Sequence, residues 1–258
     1  LLLTITAWGC IADQLPPKAK VINICTDTNY WYPYTFVQND KSTGLHVDIV
    51  KRVLTDMNIA VEFTALPWKR CLAETKYGVY DAIVSASYKT DRAPFYYYPS
   101  DAKEERSEYR IMQVEYTVIS PIETKYDYIG DLTTVPQPVT ISLGYSIIGE
   151  LERHQLETRV TTNGSLADVK MLLHYRQGSM VTARSVAELI VADHPDELYL
   201  SKGSFYSRSY HIIFSKKTLL SANERQEIWD RLAKIREDKS LMQKLMTPYV
   251  NDESVNEK

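Results

Sequence analysis

Glycine is scarce in this sequence of 258 residues, at 9, and cysteine numbers only 3. No Gly-rich loop of the kind that lays backbone N–H groups around a phosphate is present, and no period of about 20 to 50 residues marks a repeat array. The 5 histidines, His46, His154, His174, His194 and His211, lie far apart. None has a second His or Cys at ligand spacing, so neither a metal site nor a cofactor is expected. Charge of one sign is missing too. Lys+Arg 30 against Asp+Glu 33 gives a net charge of -3 spread along the chain. No basic face is left for a phosphate backbone, which excludes nucleic acid as a partner.

What remains is a chain that is 44% hydrophobic, able to bury a sizeable core as one large domain or two lobes. Tyrosine is over-used, at 19 residues. Its flat apolar face and polar tip suit a cleft that holds polar solutes. At the amino end Leu1 to Trp8 reads LLLTITAW, followed by Gly9-Cys10 and a polar stretch with prolines. An apolar run too short to span a bilayer, with small residues before Cys10, reads as the end of a signal peptide. Ala7 and Gly9 suit ordinary cleavage, whereas Gly9-Cys10 suits lipidation of Cys10. The expected location is the periplasm, with or without a lipid anchor. No later segment approaches the roughly 18 apolar residues of a membrane-spanning helix.

Val21 to Thr26 is a short β-branched run, and Leu45, Ile49, Val50, Val53, Leu54 and Met57 then recur at helical spacing. Val61 to Leu66 reads as a second strand, Trp68 to Tyr77 as a helix stopped by Gly78, and Ala82 to Ala86 as a third strand. This alternation predicts a parallel βαβαβ unit. A second series follows from Thr117: a β-rich stretch, a strand over Val139 to Leu143, a helix from Ser146, a weak strand near Val160 and a helix from Ser165 to Tyr175. Ser221 and Glu224 form a capping box ahead of the last helices.

The loop after the first strand reads Tyr30-Trp31-Tyr32-Pro33-Tyr34, the first helix starts at Gly44-Leu45-His46-Val47-Asp48, and Pro67-Trp68 opens the second. Tyr80-Asp81-Ala82-Ile83 runs into Ser85-Ala86-Ser87-Tyr88-Lys89-Thr90-Asp91-Arg92, with Tyr98-Pro99 beyond. On these residues the chain, from about Lys20 to Val250, resembles the bacterial extracellular (periplasmic) solute-binding proteins of family 3, the polar amino-acid-binding type of ABC importers. The resemblance implies an α/β, periplasmic-binding-protein-like fold of type II, with two α/β lobes joined by a two-strand hinge. Residues 1–19 are then signal-peptide remnant and linker, 20–103 plus 211–258 lobe one, and 104–210 lobe two. The hinge crossings are expected near 101–110 and 203–212.

The same resemblance implies a ligand site. Ser85 and Ser87 line the cleft, and the fork of Arg92 clamps a ligand carboxylate, a task that its planar bidentate geometry suits. Asp27 supplies an acidic group, either Tyr30 or Trp31 packs on the ligand, and Trp68 flanks it. Gly144-Tyr145-Ser146 opens a helix in lobe two, with the Ser146 hydroxyl offered to an anionic group. The family's acidic residue for a ligand ammonium is missing, because Gly178 to Ser185 offers Arg184 instead. Arg184 either joins Arg92 in favouring a dicarboxylate or faces solvent. Setting Cys10 aside as a processing residue leaves an even pair in an oxidising compartment. The family's sheet order, with the first strand between the second and third, brings Cys25 near Cys71 for a disulfide. The function implied is a monomeric receptor, not an enzyme, that captures a small carboxylate-bearing ligand for the permease of an ABC transporter. The alternatives are a dehydratase-like enzyme on the same fold, with Glu74, Asp81 or Glu188 as its acid or base, and a sensory module.

Overall fold

Short β-branched runs alternate with amphipathic segments, and each takes the structure its period dictates. A computed structural model describes residues 20–162 and 164–250. The signal-peptide reading and Cys10 therefore lie outside the described residues. The chain begins with β1 (Val21–Asp27), a hairpin of β2 (Phe36–Gln38) and β3 (Lys41–Thr43), α1 (Leu45–Asp56), β4 (Ala60–Leu66), α2 (Trp68–Lys76), β5 (Ala82–Ser87) and β6 (Tyr96–Tyr97). β7 (Met112–Pro121) leads into a second series of β8 (Val139–Ser142), α3 (Ile148–Arg153), β9 (Thr158–Thr161), α4 (Ser165–Tyr175), β10 (Ser179–Ala183) and α5 (Arg184–Asp193). β11 (Leu198–Ser215) returns, and α6 (Ala222–Glu237) and α7 (Lys239–Val250) close the chain.

The main sheet runs β4-β1-β5-β11-β7-β10-β8-β9, with β6 pairing β11. β1 lies between β4 and β5 and is parallel to both, the order that right-handed crossovers through α1 and α2 produce. The two largest of three buried apolar clusters among the described residues hang on this frame. One joins Ile22, Ile24, Val50, Leu54 and Val84 to Phe214, Ile228 and Leu232, so the last helices cover the sheet that the first strands built. The other joins Val118, Ile141, Ile147, Leu172, Met180 and Ala187, and it also takes in Trp31 from the loop after β1. The architecture is α/β in two lobes, as expected from the sequence.

Two strands carry the crossing. β11 pairs antiparallel with β7 from Leu198 to Tyr210, and with β5 from Tyr210 to Phe214. The returning strand covers the expected stretch, but the outgoing strand starts only at Met112. Residues 101–108 form a loop instead, because Asp101 caps it: its carboxylate accepts from Ser107 Oγ at 2.7 Å and from the Glu108 N–H at 2.5 Å. Side chains that bond nearby backbone in this way compete with strand pairing.

Local devices fix the element ends. Ser221 and Glu224 form the capping box at the start of α6, with the Glu224 N–H donating to Ser221 Oγ at 3.2 Å. Gly44 precedes α1 at φ +119°, and a Cβ there would lie 2.4 Å from the Tyr34 carbonyl oxygen. That close approach lets the Tyr34 carbonyl accept from the His46 N–H at 3.0 Å, which fastens the aromatic loop to the helix. Cys25 on β1 and Cys71 on α2 form a disulfide, with Cα atoms 5.7 Å apart. No helix among the described residues is long and apolar enough to cross a membrane, and no cluster of three or more His, Cys, Asp or Glu is placed to hold a metal.

Candidate functional site

A cavity sits where β1 and β5 end, at the carboxyl edge of the first lobe's parallel strands, the place where open α/β sheets bind ligands. β1 delivers Asp27 to it, and β5 delivers Val84, Ser85 and Ser87. The tight turn after β5, closed by the Arg92 N–H on the Lys89 carbonyl at 3.0 Å, brings Arg92 back over the strand end. Trp31 and Thr35 enter from the loop after β1, and Trp68 from the first turn of α2. The far wall is Tyr145, Ser146 and Tyr210.

The lobes meet across this cavity. Arg92 is 7% exposed. It donates from Nη1 to the Ser87 carbonyl at 3.3 Å and from Nη2 to the Gly144 carbonyl at 3.1 Å. Its guanidinium also lies 5.3 Å from the centre of the Trp68 ring, a cation–π contact. Trp68 Nε1 donates to the same Gly144 oxygen at 3.1 Å. Ser87 Oγ and Ser146 Oγ are 2.7 Å apart, and Ser185 Oγ donates to the Tyr34 hydroxyl at 3.2 Å. Closed in this way, the cavity has a volume of about 30 Å³. A water site needs roughly 10–15 Å³, so a ligand of amino-acid size enters only if the lobes part.

Two groups facing the cavity are chemically poised. Burial pushes the Asp27 carboxyl up to about 6, against the hydrogen bonds it accepts from Asn29. Burial likewise raises the Tyr145 phenol well above its usual range, with the Asp27 charge adding to it. Among the described residues no carboxylate forms an ion pair with Arg92. The buried Ser85 hydroxyl has no hydrogen-bond partner among the described residues.

Residues 22–98 match the family model of the bacterial extracellular solute-binding proteins, family 3. The matched stretch carries Asp27, Trp31, Trp68, Ser85, Ser87 and Arg92. Comparison with the curated proteins finds no match. The fold is shared with solved structures of low identity. A P235GK mutant of ArgBP from T. maritima superposes with a TM-score of 0.72 at 14% identity, over 90% of this chain and 96% of that one. A histidine kinase sensor domain with similarity to periplasmic binding proteins gives 0.73 at 15%, over 90% and 97%. The ancestral amino-acid-binding protein AncCDT-1, a precursor of cyclohexadienyl dehydratase, gives 0.69 at 16%, over 89% and 95%.

Of the residues singled out in the sequence, the structure gathers Asp27, Trp31, Trp68, Ser85, Ser87, Arg92 and Ser146 around one cavity. Tyr30 is elsewhere: it stacks on Tyr32 at 5.9 Å and tilts against Phe36 at 5.7 Å, leaving Trp31 as the ring of that loop facing the cavity. Arg184 is also elsewhere. Its guanidinium donates to Ser204 Oγ at 2.8 Å, Thr117 Oγ1 at 3.3 Å and the carbonyls of Ser201 and Lys202, which ties α5 to the strand pair beneath. Gly144 to Ser146 form a turn, and α3 begins at Ile148. None of the three carboxylates considered for catalysis lines the cavity. Glu74 pairs with Arg70, Glu188 is exposed, and Asp81 braces β1 and the Thr218 hydroxyl.

Sequence reading did not single out Thr35, Val84, Tyr145 or Tyr210 as lining residues. Tyr210 reaches the cavity because β11 crosses between the lobes, and its hydroxyl is hydrogen-bonded to that of Tyr116 on β7. No local motif marks a residue recruited by a long-range pairing of this kind.

Proposed function

We propose that the chain is an exported, periplasmic receptor that captures a small carboxylate-bearing ligand, an amino acid or a relative of one, between its lobes and delivers it to the permease of an ABC importer. The observation that carries the reading is Arg92. A buried guanidinium without a carboxylate partner is costly, and a ligand carboxylate is the compensating group that its bidentate fork fits. Ser85, with its free hydroxyl, stands beside it, and Trp31 and Trp68 supply apolar walls. Asp27 faces the same cavity with opposite charge, which suits a cationic group on the ligand. The relative named ArgBP and the family description point the same way. The disulfide suits an oxidising compartment.

Thermal-shift and calorimetric screening of the full chain against amino acids and small carboxylates tests this. A ligand at 100 times its dissociation constant raises stability by roughly 2.7 kcal/mol. Saturable binding that Arg92→Ala abolishes supports the reading, and binding that survives the substitution refutes it.

Asp27 favours a second reading. A carboxyl held near 6 inside a closing cavity is suited to proton transfer, and one structural relative is the precursor of a dehydratase. Turnover of a bound ligand, followed by NMR and lost in Asp27→Asn, would select the enzyme over the receptor.

A further inference from the structure

Beside the Arg92 cavity a larger crevice, of about 600 Å³, opens between the lobes, and Ser146 lines both. Its charged lining is one-sided. Lys89 and Lys103 approach from lobe one, Arg153 from α3 and Arg208 from β11, against Asp91 alone. Asp91 is itself paired with Lys89, Nζ to Oδ2 at 3.4 Å, and Arg153 is paired with Glu150. Lys103 and Arg208 form no ion pair among the described residues. Arg208 is half-buried, its guanidinium lies 4.2 Å from the centre of the Tyr206 ring, and its Nε is buried with no hydrogen-bond partner among the described residues. Lys103 stands 5.8 Å from the centre of the ring of Tyr88, which also lines the crevice. Glu104 and Glu105 line a separate depression that shares Lys103 and Arg208 with the crevice, and they stay outside the crevice itself.

A guanidinium fixed on an aromatic ring with an N–H left over is preorganised for an oxyanion. A cleft lined by one sign of charge concentrates ligands of the other sign. We infer that Lys103 and Arg208 form a second anion subsite, joined to the Arg92 cavity at Ser146, and that the ligand carries a second anionic group besides the carboxylate held by Arg92. The inference rests on the receptor reading and sharpens its ligand class to molecules with two anionic groups, called dianions below whatever their net charge: acidic amino acids, dicarboxylates or phosphorylated amino acids. Arg208 thus takes the place that the sequence offered to Arg184, whose Nε and Nη2 are engaged by Ser204, Thr117 and the carbonyls of Ser201 and Lys202, with the Glu115 carboxylate 4.0 Å away.

Calorimetry on the full chain with matched probes tests the subsite. L-Aspartate, L-glutamate, glutarate and O-phospho-L-serine are each compared with a counterpart that lacks the second anionic group: L-asparagine, L-glutamine, glutaramate and L-serine. At least one dianion is expected to bind about tenfold or more tightly than its counterpart. Arg208→Gln and Lys103→Gln are each expected to shrink that advantage while leaving the counterpart's affinity unchanged. Lys103 is exposed, so its variant keeps the test open if the Arg208 variant fails to fold. Equal or weaker binding of every dianion, or an advantage that persists in the double variant, overturns the subsite. If L-glutamine, L-histidine or L-arginine binds through Arg92 while no dianion does, the receptor reading survives and the subsite falls. If no carboxylate binds at all, both fall.

Discussion

Arg92 Nη2 lies 3.1 Å from the carbonyl oxygen of Gly144, so a cation buried in one lobe is held by the backbone of the other. A ligand carboxylate that engages Nη2 competes with that carbonyl for the guanidinium. The fork geometry then matters as much as the charge, and Arg92→Lys is expected to weaken binding nearly as much as Arg92→Ala. Removing one side of a buried charge pair costs about 2–5 kcal/mol. Titration calorimetry of both variants checks this, and near-native affinity in either one speaks against the clamp.

Gly144 itself lies at φ +82°, and a Cβ there would stand 3.1 Å from Trp68 Cδ1. Alanine at this position is expected to cost about 1–2 kcal/mol of folding stability through left-handed strain, and its crowding of Trp68 across the lobes should disfavour closure. Gly164→Ala acts at a second contact between lobes, where a Cβ would meet that of Asn29 at 2.8 Å. Small-angle scattering should show both variants more open than the parent. A ligand should compact the parent, and identical dimensions with and without saturating ligand would remove the hinge from the mechanism.

Asp27 and Asp168 both have carboxyls raised by burial to about 6 from 3.8, Asp168 against hydrogen bonds from Ser142 and Thr161. The folded state therefore holds protons that the unfolded chain releases. Their contribution to stability is fully present below pH 3.8 and is lost as pH rises through 6. Each should move the unfolding free energy by about 2–3 kcal/mol across that window. In Asp27→Asn and Asp168→Asn the downward slope should flatten relative to the parent in denaturant titrations between these limits. An unchanged slope would place the carboxyls in solvent.

The Cys25–Cys71 bridge closes a loop with a sequence separation of 46. In the chain-entropy model a loop of this size is worth about 4 kcal/mol. Cys25→Ser/Cys71→Ser is expected to melt lower by several degrees, and reductant should lower the parent's melting temperature to match while leaving the double variant unaffected. Mass spectrometry after alkylation without reduction gives the direct check: labelling of both cysteines in the folded parent counts against the bridge.

The first lobe was legible because its signals are local. β-Branched runs, helical spacing in α1 and the Ser85-to-Arg92 stretch need only neighbours in sequence to be read. The capping box at Ser221 belongs to the same class. Arg184 shows the limit. Its type and position suggested an anion site, but hydroxyls and carbonyls on β7 and β11, far away in sequence, absorb its guanidinium. Trp31 and Tyr30 are adjacent, and only packing distinguishes them: one ring joins Tyr34 and Tyr210 at 4.8 Å each, the other joins Tyr32 and Phe36. Asp101 likewise turned an expected strand into a loop through two hydrogen bonds that its residue type alone does not announce.

β11 is one strand of 18 residues, and its backbone is zipped to β7 at one end and to β5 at the other. Stripping it from either neighbour exposes a sheet edge in the lobe that is still intact. Each half therefore borrows part of its integrity from the other, and a nick, a proline or a charge placed near Tyr210 should be felt on both sides. Even if a ligand moves the lobes as two bodies, heat or denaturant is expected to unfold them in one cooperative transition.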